Sequence, residues 1–198
     1  MTRPRILPAA PDQAEQVAAL IAKAIRPSAI SQWLVPDPDA RLSVLTADCL
    51  IWVLHAFETG TVYVAEDVNG PGVTGAAVWF DRTRDLRPPA RYEELVRSMC
   101  GPWAERFFEL DEAFDSVHPT APHEHLAYLA VVPPWQGKGI GAALLAQHHL
   151  HLDAVGSPAY AEASERAVAL YARHGYRQLA PVHLPDGGPP FWPMTRSA

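Results

Sequence analysis

The chain has 198 residues, 48% hydrophobic and 19% charged, which suits one domain with a sizeable buried core. Its net charge of −6 excludes a general nucleic-acid binder, whose basic stripe would be obvious, and mildly favours a cationic amine partner. The N-terminal MTRPRILPAAP lacks the apolar run of a signal peptide, and no stretch is expected to reach transmembrane length, so the sequence points to the cytoplasm and away from a membrane.

In chain order, residues 5–9 read as a short strand, and Pro11-Asp12 opens a helix in which Val17, Leu20, Ile21, Ala24 and Ile25 recur at helical spacing. Pro27 ends it. Residues 28–38 read as a loop carrying Trp33, and 39–58 as a helix with Leu42, Leu45, Cys49, Trp52, Val53 and Ala56 on its apolar side. The runs 61–66 and 73–80 are β-branched and aromatic, and Asn69-Gly70-Pro71-Gly72 between them predicts a hairpin turn. A polar loop over 81–90 leads to two helices, 91–99 and 102–114, and a linker at 119–123 leads to an apolar strand over 126–132. That strand stops at Pro133-Pro134, since proline lacks a ladder donor. A helix over 140–153, a small-residue strand over 159–164, a helix over 165–174 capped by Gly175, and strands over 176–183 and 191–195 complete an α/β pattern around one sheet. Cys49 and Cys100 lie in helical surroundings without metal-like spacing and read as free thiols of a reducing compartment.

The glycine-rich stretch Gln136-Gly137-Lys138-Gly139-Ile140-Gly141 stands between a strand and a helix, where unpaired amides and the positive end of the helix dipole favour phosphate oxygens. A nucleoside-triphosphate loop needs Ser or Thr after its lysine, and Gly139 stands there. A dinucleotide fingerprint needs G-x-G-x-x-G followed by a βαβ unit, and neither condition is met. Q-x-x-G-x-G remains, as Gln136, Gly139 and Gly141.

That loop after AVVPPW, followed by AEASERAVALYARHGY with Leu170-Tyr171 and His174-Gly175-Tyr176, resembles the GNAT N-acetyltransferases over most of the chain. Its length and the ending LPDGGPPFWPMTR resemble the subgroup that contains puromycin N-acetyltransferase. The resemblance implies one GNAT domain over residues 1–198, with a mixed, mostly antiparallel sheet flanked by helices and splayed at its central strand. It implies acetyl-CoA as donor and a small-molecule primary amine as acceptor, with an antibiotic as the sharper form of that expectation. Nucleic acid and membrane are not expected partners, and the chain is expected as a monomer or homodimer.

The resemblance also assigns residues. The backbone of Ala130, Val131 and Val132 would pair with the pantetheine arm, and the amides of Gln136, Gly137, Lys138, Gly139, Ile140, Gly141 and Ala142 would cradle the pyrophosphate. Tyr171 would protonate the leaving thiolate. The family often has Asn four residues before this tyrosine; Ala167 stands there, so Ser164 is a candidate for the missing cofactor contact. Trp33 is a candidate acceptor contact.

Transfer from a thioester to an amine needs a neutral amine and a proton for the departing sulfur, with no acyl-enzyme required. Glu162 shares a strand face with Tyr160 and Ser164 and is the candidate base, with His123, Glu124 and His125 as alternatives. His148, His149 and His151 read as solvated helix surface, and no metal centre is expected. Transfer of another acyl group, or a non-catalytic acyl-CoA-binding module, stays open as an alternative.

Overall fold

Period-two apolar patterning builds the centre of the molecule and 3.6-residue patterning covers it on both sides. The computed structural model describes residues 4–67 and 72–197. The elements begin with β1 (Arg5–Pro8), α1 (Ala14–Ile25), α2 (Ala29–Leu34), α3 (Arg41–Thr59), β2 (Gly60–Glu66) and β3 (Val73–Asp81). They continue with α4 (Tyr92–Cys100), α5 (Ala104–Asp115), β4 (Glu124–Val131), α6 (Ile140–Val155), β5 (Ala159–Ala163) and α7 (Glu165–Arg173). The chain ends with β6 (Tyr176–Gln178), β7 (Val182–His183) and β8 (Pro190–Arg196).

The sheet order is β1-β2-β3-β4-β5-β8-β6, with β7 also paired to β8. Every pairing is antiparallel except β4 with β5. This is the mixed, mostly antiparallel sheet that the family resemblance implies. One face is buried by α1, α3, α4 and α5, the other by α6 and α7. Gly75 of β3 admits α6 closely: a Cβ there would stand 2.9 Å from Ile140 and 3.2 Å from Leu144.

Three local expectations change. The loop over 28–38 contains α2, which starts because Ser28 Oγ accepts the Ser31 amide at 3.1 Å, an N-cap that the proline on each side obscures. Trp33 therefore sits on a short helix. The strand expected over 176–183 divides into β6 and β7 near Pro181, which has no amide to donate. One helix does reach transmembrane length and apolarity: α3 has 19 residues with mean hydropathy 1.3. It packs on α1 and the sheet as a core helix and carries buried Asp48 and His55. The hairpin turn expected at 69–72 falls mainly on residues 68–71, outside the described residues.

The central strand is irregular at one residue. Trp79 pairs with Leu126 and Val78 with Tyr128, which leaves Ala127 as a β-bulge. Ala127 and Tyr128 consequently pack on the same side, under α1 and α3, while Leu126, Leu129 and Val131 pack under α6 and α7.

Candidate active site

The sheet parts where β4 meets β5. Their parallel pairing covers only Glu124–Leu126 against Ala159–Ala161, and the strands separate beyond it. What lies open along β4 follows from ladder parity. The Val132 amide donates to the Thr74 carbonyl at 3.0 Å, so that pair is hydrogen-bonded. In an antiparallel ladder the alternate residues, Val131 and Leu129, then turn their amides and carbonyls toward the gap. Gln136 Nε2 donates to the Val131 carbonyl at 2.9 Å from that side. Of the three residues expected to offer backbone to a ligand, only Val131 faces the gap, and Leu129 joins it. Ala130 and Val132 are committed to β3.

The glycine loop closes one end of the gap. After the turn Pro133–Trp135, Gly137 and Gly139 adopt φ of +74° and +82°. This left-handed backbone favours glycine, and a Cβ at either residue would meet nothing within 4 Å. Gly139 is the N-cap of α6, whose first helical bond runs from the Ala143 amide to the Gly139 carbonyl at 3.0 Å. The amides of Ile140, Gly141 and Ala142 therefore have no intrahelical acceptor. Lys138 Nζ lies 4.5 Å from the Trp135 ring centroid, which places a cation on the loop. The Gln136 side chain ties the loop to β4. Open space at both left-handed glycines, free first-turn amides and a lysine fit a polyphosphate group.

Across the gap, α7 begins at Ser164, whose side chain makes no capping hydrogen bond. Its neighbour Ala167 is partly buried against the α6–α7 core. Tyr171 is buried 5.5 Å from the Tyr176 ring. Burial raises the Tyr171 hydroxyl above the ordinary phenol range, and the charge of Glu162 raises it further. Tyr171 is thus kept protonated.

Glu162 and His125 come from β5 and β4 at the point of separation. His125 Nε2 donates to Glu162 Oε2 at 2.7 Å. Burial alone would raise the Glu162 carboxyl, but His125 and His118 outweigh it and hold it at about 2. The carboxylate fixes the His125 ring through Nε2, so the ring nitrogen left over for proton transfer is Nδ1. A cluster extends from this pair. His118 Nδ1 lies 3.4 Å from Glu162 Oε1, and His118 Nε2 lies 2.9 Å from His123 Nε2. His123 Nδ1 donates to the Ala121 carbonyl at 2.7 Å. Burial lowers His123 to about 4, so it is neutral near pH 7. His118 was not singled out from sequence; the spacing His118, His123, His125 ahead of a central strand is the signal that would have found it. His118, His125 and Glu162 also form a group of metal-ligand spacing among the described residues, where the sequence predicts none.

The other candidates separate from this cluster. Glu124 points to the α6 face, with Oε2 3.4 Å from His148 Nε2. His148 is not solvated surface: it is buried and stacks on Trp79 at 4.1 Å. His149 is buried too, and His151 alone of the three is exposed. The helix turns His148 and His149 toward the sheet because α6 is apolar around more than half its girth. Trp33 is half-buried at a junction: Arg106 bonds its carbonyl and lies 5.4 Å over its ring, and a Cβ at Gly188 would stand 2.8 Å from its indole nitrogen.

Two unassigned carboxyls lie on the α1–α3 face. Asp48 is buried without a hydrogen bond to its carboxyl among the described residues, and burial followed by the charge of Asp111 raises it to about 8. Asp111 is raised to about 6 by burial, although it accepts the Tyr92 hydroxyl at 2.6 Å. Trp52, Tyr92 and Phe108 form a chain of ring contacts beside them.

Residues 112–198 match the acetyltransferase (GNAT) domain family. A Corynebacterium glutamicum protein described as histone acetyltransferase HPA2 and related acetyltransferase is 26% identical over 100% of this chain and 98% of its own, with a TM-score of 0.76. The Drosophila melanogaster polyamine N-acetyltransferase superposes at 0.67 with 18% identity over 98% of each chain. A mosquito arylalkylamine N-acetyltransferase-like protein superposes at 0.66 with 18% identity, over 99% of this chain and 100% of its own. At 18% identity the last two bear on the fold alone.

Proposed function

We propose that this chain, an acyl-CoA-dependent acetyltransferase with the GNAT fold, transfers an acetyl group directly to a primary amine of a small molecule. The observation that carries the reading is the 2.7 Å contact between His125 and Glu162 at the parting of β4 and β5, on the opposite side of β5 from Tyr171. The sheet that joins elements from both ends of the chain supports taking residues 1–198 as one domain.

Acetyl-CoA would supply an activated acyl thioester. The amides of Gly137 through Ala142 and Lys138 would hold its phosphates, and the gap-facing backbone of Val131 and Leu129 would align the arm between phosphate and acyl group. Ser164, whose hydroxyl makes no capping bond, would add a contact to the same arm. His125 Nδ1 accepts the proton of the attacking amine while Glu162 stabilises the imidazolium that results. As the new N–C bond forms and the C–S bond breaks, Tyr171 gives its hydroxyl proton to the sulfur. Its raised affinity for that proton makes it an acid that reloads from solvent. No cysteine is needed: Cys49 and Cys100 are buried free thiols whose acidity burial suppresses.

The acceptor is read as cationic. Asp111, and Asp48 once an entering cation restores its charge, offer a second ammonium negative charge, and Trp52, Tyr92 and Phe108 offer aromatic faces. That solved proteins of like fold include a polyamine N-acetyltransferase and an arylalkylamine N-acetyltransferase-like protein suits that reading, as does the acidic chain. The narrower form is an antibiotic acetyltransferase like that of the puromycin subgroup, acting in the cytoplasm as a monomer or homodimer. A screen of diamines, polyamines, arylalkylamines, amino acids and amine-bearing antibiotics with acetyl-CoA, reading free thiol, tests both. Turnover is expected to be highest with diamines or polyamines. Acceptance of an antibiotic alone would replace that class, and thiol release with no amine in the panel would end the reading.

A further inference from the structure

The pair of His125 and Glu162 leaves a polar atom unused. Glu162 Oε1 is buried, and among the described residues no hydrogen bond reaches it. Its neighbour is His118 Nδ1 at 3.4 Å. The proton positions along the cluster decide what that nitrogen can do. His123 Nδ1 spends its proton on the Ala121 carbonyl, so His123 Nε2 carries a lone pair. His118 Nε2 must then donate across the 2.9 Å contact. His118 Nδ1 and the carboxylate oxygen thus face each other across 3.4 Å, a contact that a proton on Nδ1 or a metal ion in its place can bridge. His125 Nε2 converges on the other oxygen of the same carboxylate.

We propose that His118 Nδ1, His125 Nε2 and the Glu162 carboxylate bind a divalent transition-metal ion of zinc type, and that the ion switches off acetyl transfer. The three ligand atoms lie within 4.8 Å of one another. Two imidazoles and a carboxylate with a fourth position open suit zinc, whereas calcium and magnesium seek oxygen ligands. Metal-bound imidazoles generally donate their second N–H to a fixed acceptor. His118 does this to His123, and the Ala121 carbonyl holds the His123 ring in turn. Tetrahedral zinc at about 2.0–2.1 Å sets its ligand atoms about 3.3 Å apart. His125 and Glu162 must therefore open from 2.7 Å by about 0.6 Å, and the His125 proton between them passes by way of solvent to Nδ1.

The inhibition follows from the tautomer and rests on the base assigned above; the binding does not. An ion on Nε2 holds the single ring proton of His125 on Nδ1, which removes the lone pair that takes the amine proton. Glu162 is withdrawn at the same time.

The test is competition for zinc between the full-length protein and a chromophoric chelator, alongside transfer rates over the same zinc range. Wild type is expected to take one zinc per chain and to lose transfer as it does. His118→Ala and His118→Asn should lose affinity by at least the about 10- to 100-fold expected for His123→Phe, which removes only the supporting ring. His151→Ala, on the exposed face of α6, should bind as wild type. Melting curves without zinc show whether each variant is folded, and the two His118 replacements differ in how well they fill the space. No stoichiometric uptake, undiminished affinity in the folded His118 variants, or full transfer with zinc bound overturns the proposal. Metal-free transfer by His125→Ala separately tests the base, so the two readings fail independently.

Discussion

Tyr171 keeps its proton because burial and the Glu162 charge both oppose a phenolate. If it is the acid for the leaving thiolate, Tyr171→Phe should lower kcat by about 100-fold or more with little change in the KM for acetyl-CoA. Stopped-assay thiol release measures both, and an unchanged kcat removes the hydroxyl from the chemistry. His149 makes a different kind of prediction. Burial lowers it from 6.5 to about 4, and Arg196, His174 and His148 add to the effect against Asp153. The unfolded chain therefore binds a proton that the folded one refuses between those values. The stability tied to neutral His149 is complete above pH 6.5 and is lost as pH falls toward 4. Protonation would also cost the Nε2 lone pair that faces the Tyr176 hydroxyl at 3.2 Å. Melting temperatures of His149→Leu should consequently decline less than those of wild type between pH 7 and 4.5; parallel declines would assign the slope elsewhere. Residues of this scale were unevenly readable. Glu162 and Tyr171 stand in patterned elements, so alternation and motif place them. His118 stands after α5 in an irregular stretch, where nothing periodic says that it folds back on Glu162.

The start of α6 contains two glycines that differ in what they tolerate. Gly139 has positive φ and open space, so Gly139→Val strains the backbone by about 1–2 kcal/mol without a clash. Gly141 lies inside the packing, where a Cβ would stand 3.3 Å from Leu170 of α7. Gly139→Val should weaken CoA binding in calorimetry with a small loss of melting temperature. Gly141→Val should displace α7 and lower both CoA affinity and kcat, because Tyr171 is carried on that helix. Equal behaviour of the two variants would contradict this division. Glycine spacing identifies the loop, but only packing distinguishes a glycine needed for its backbone from one needed for its lack of bulk. Element by element, long periodic helices and β-branched strands were legible. The N-cap of α2 was hidden by neighbouring prolines, and the buried side of α6 by its histidines.

On the scale of the whole molecule, the two parts of the sheet are joined by a three-residue parallel seam. A ligand that pairs with β4 beyond the seam would complete the ladder there. Amide exchange at Leu129 and Val131 should then slow when CoA binds, while Ala130 and Val132, already bonded to β3, change little. Equal slowing at all four would reject the parity. Hydrophobic period reveals which segments are strands and which are the helices that cover them, while the mostly antiparallel sense of the sheet comes from the family resemblance. It does not reveal parity past an irregularity, because a bulge leaves no mark in a run as uniformly apolar as LAYLAVV.

Ala127 sets that parity. Its side chain is a single methyl, so Ala127→Ser should be tolerated and shift the melting temperature little. Deleting the residue is another matter. Strand side chains alternate with period two, and a missing residue inverts every position on one side of the deletion. Either Tyr128, Ala130 and Val132 would move under α6, or His125 would leave Glu162 and turn to the opposite face. Deletion of Ala127 should therefore abolish cooperative melting or yield a folded protein without transfer activity. The residue acts as a phase shift: one extra step of backbone lets a single strand present its base to one side of the sheet and its free edge, correctly timed, to the other.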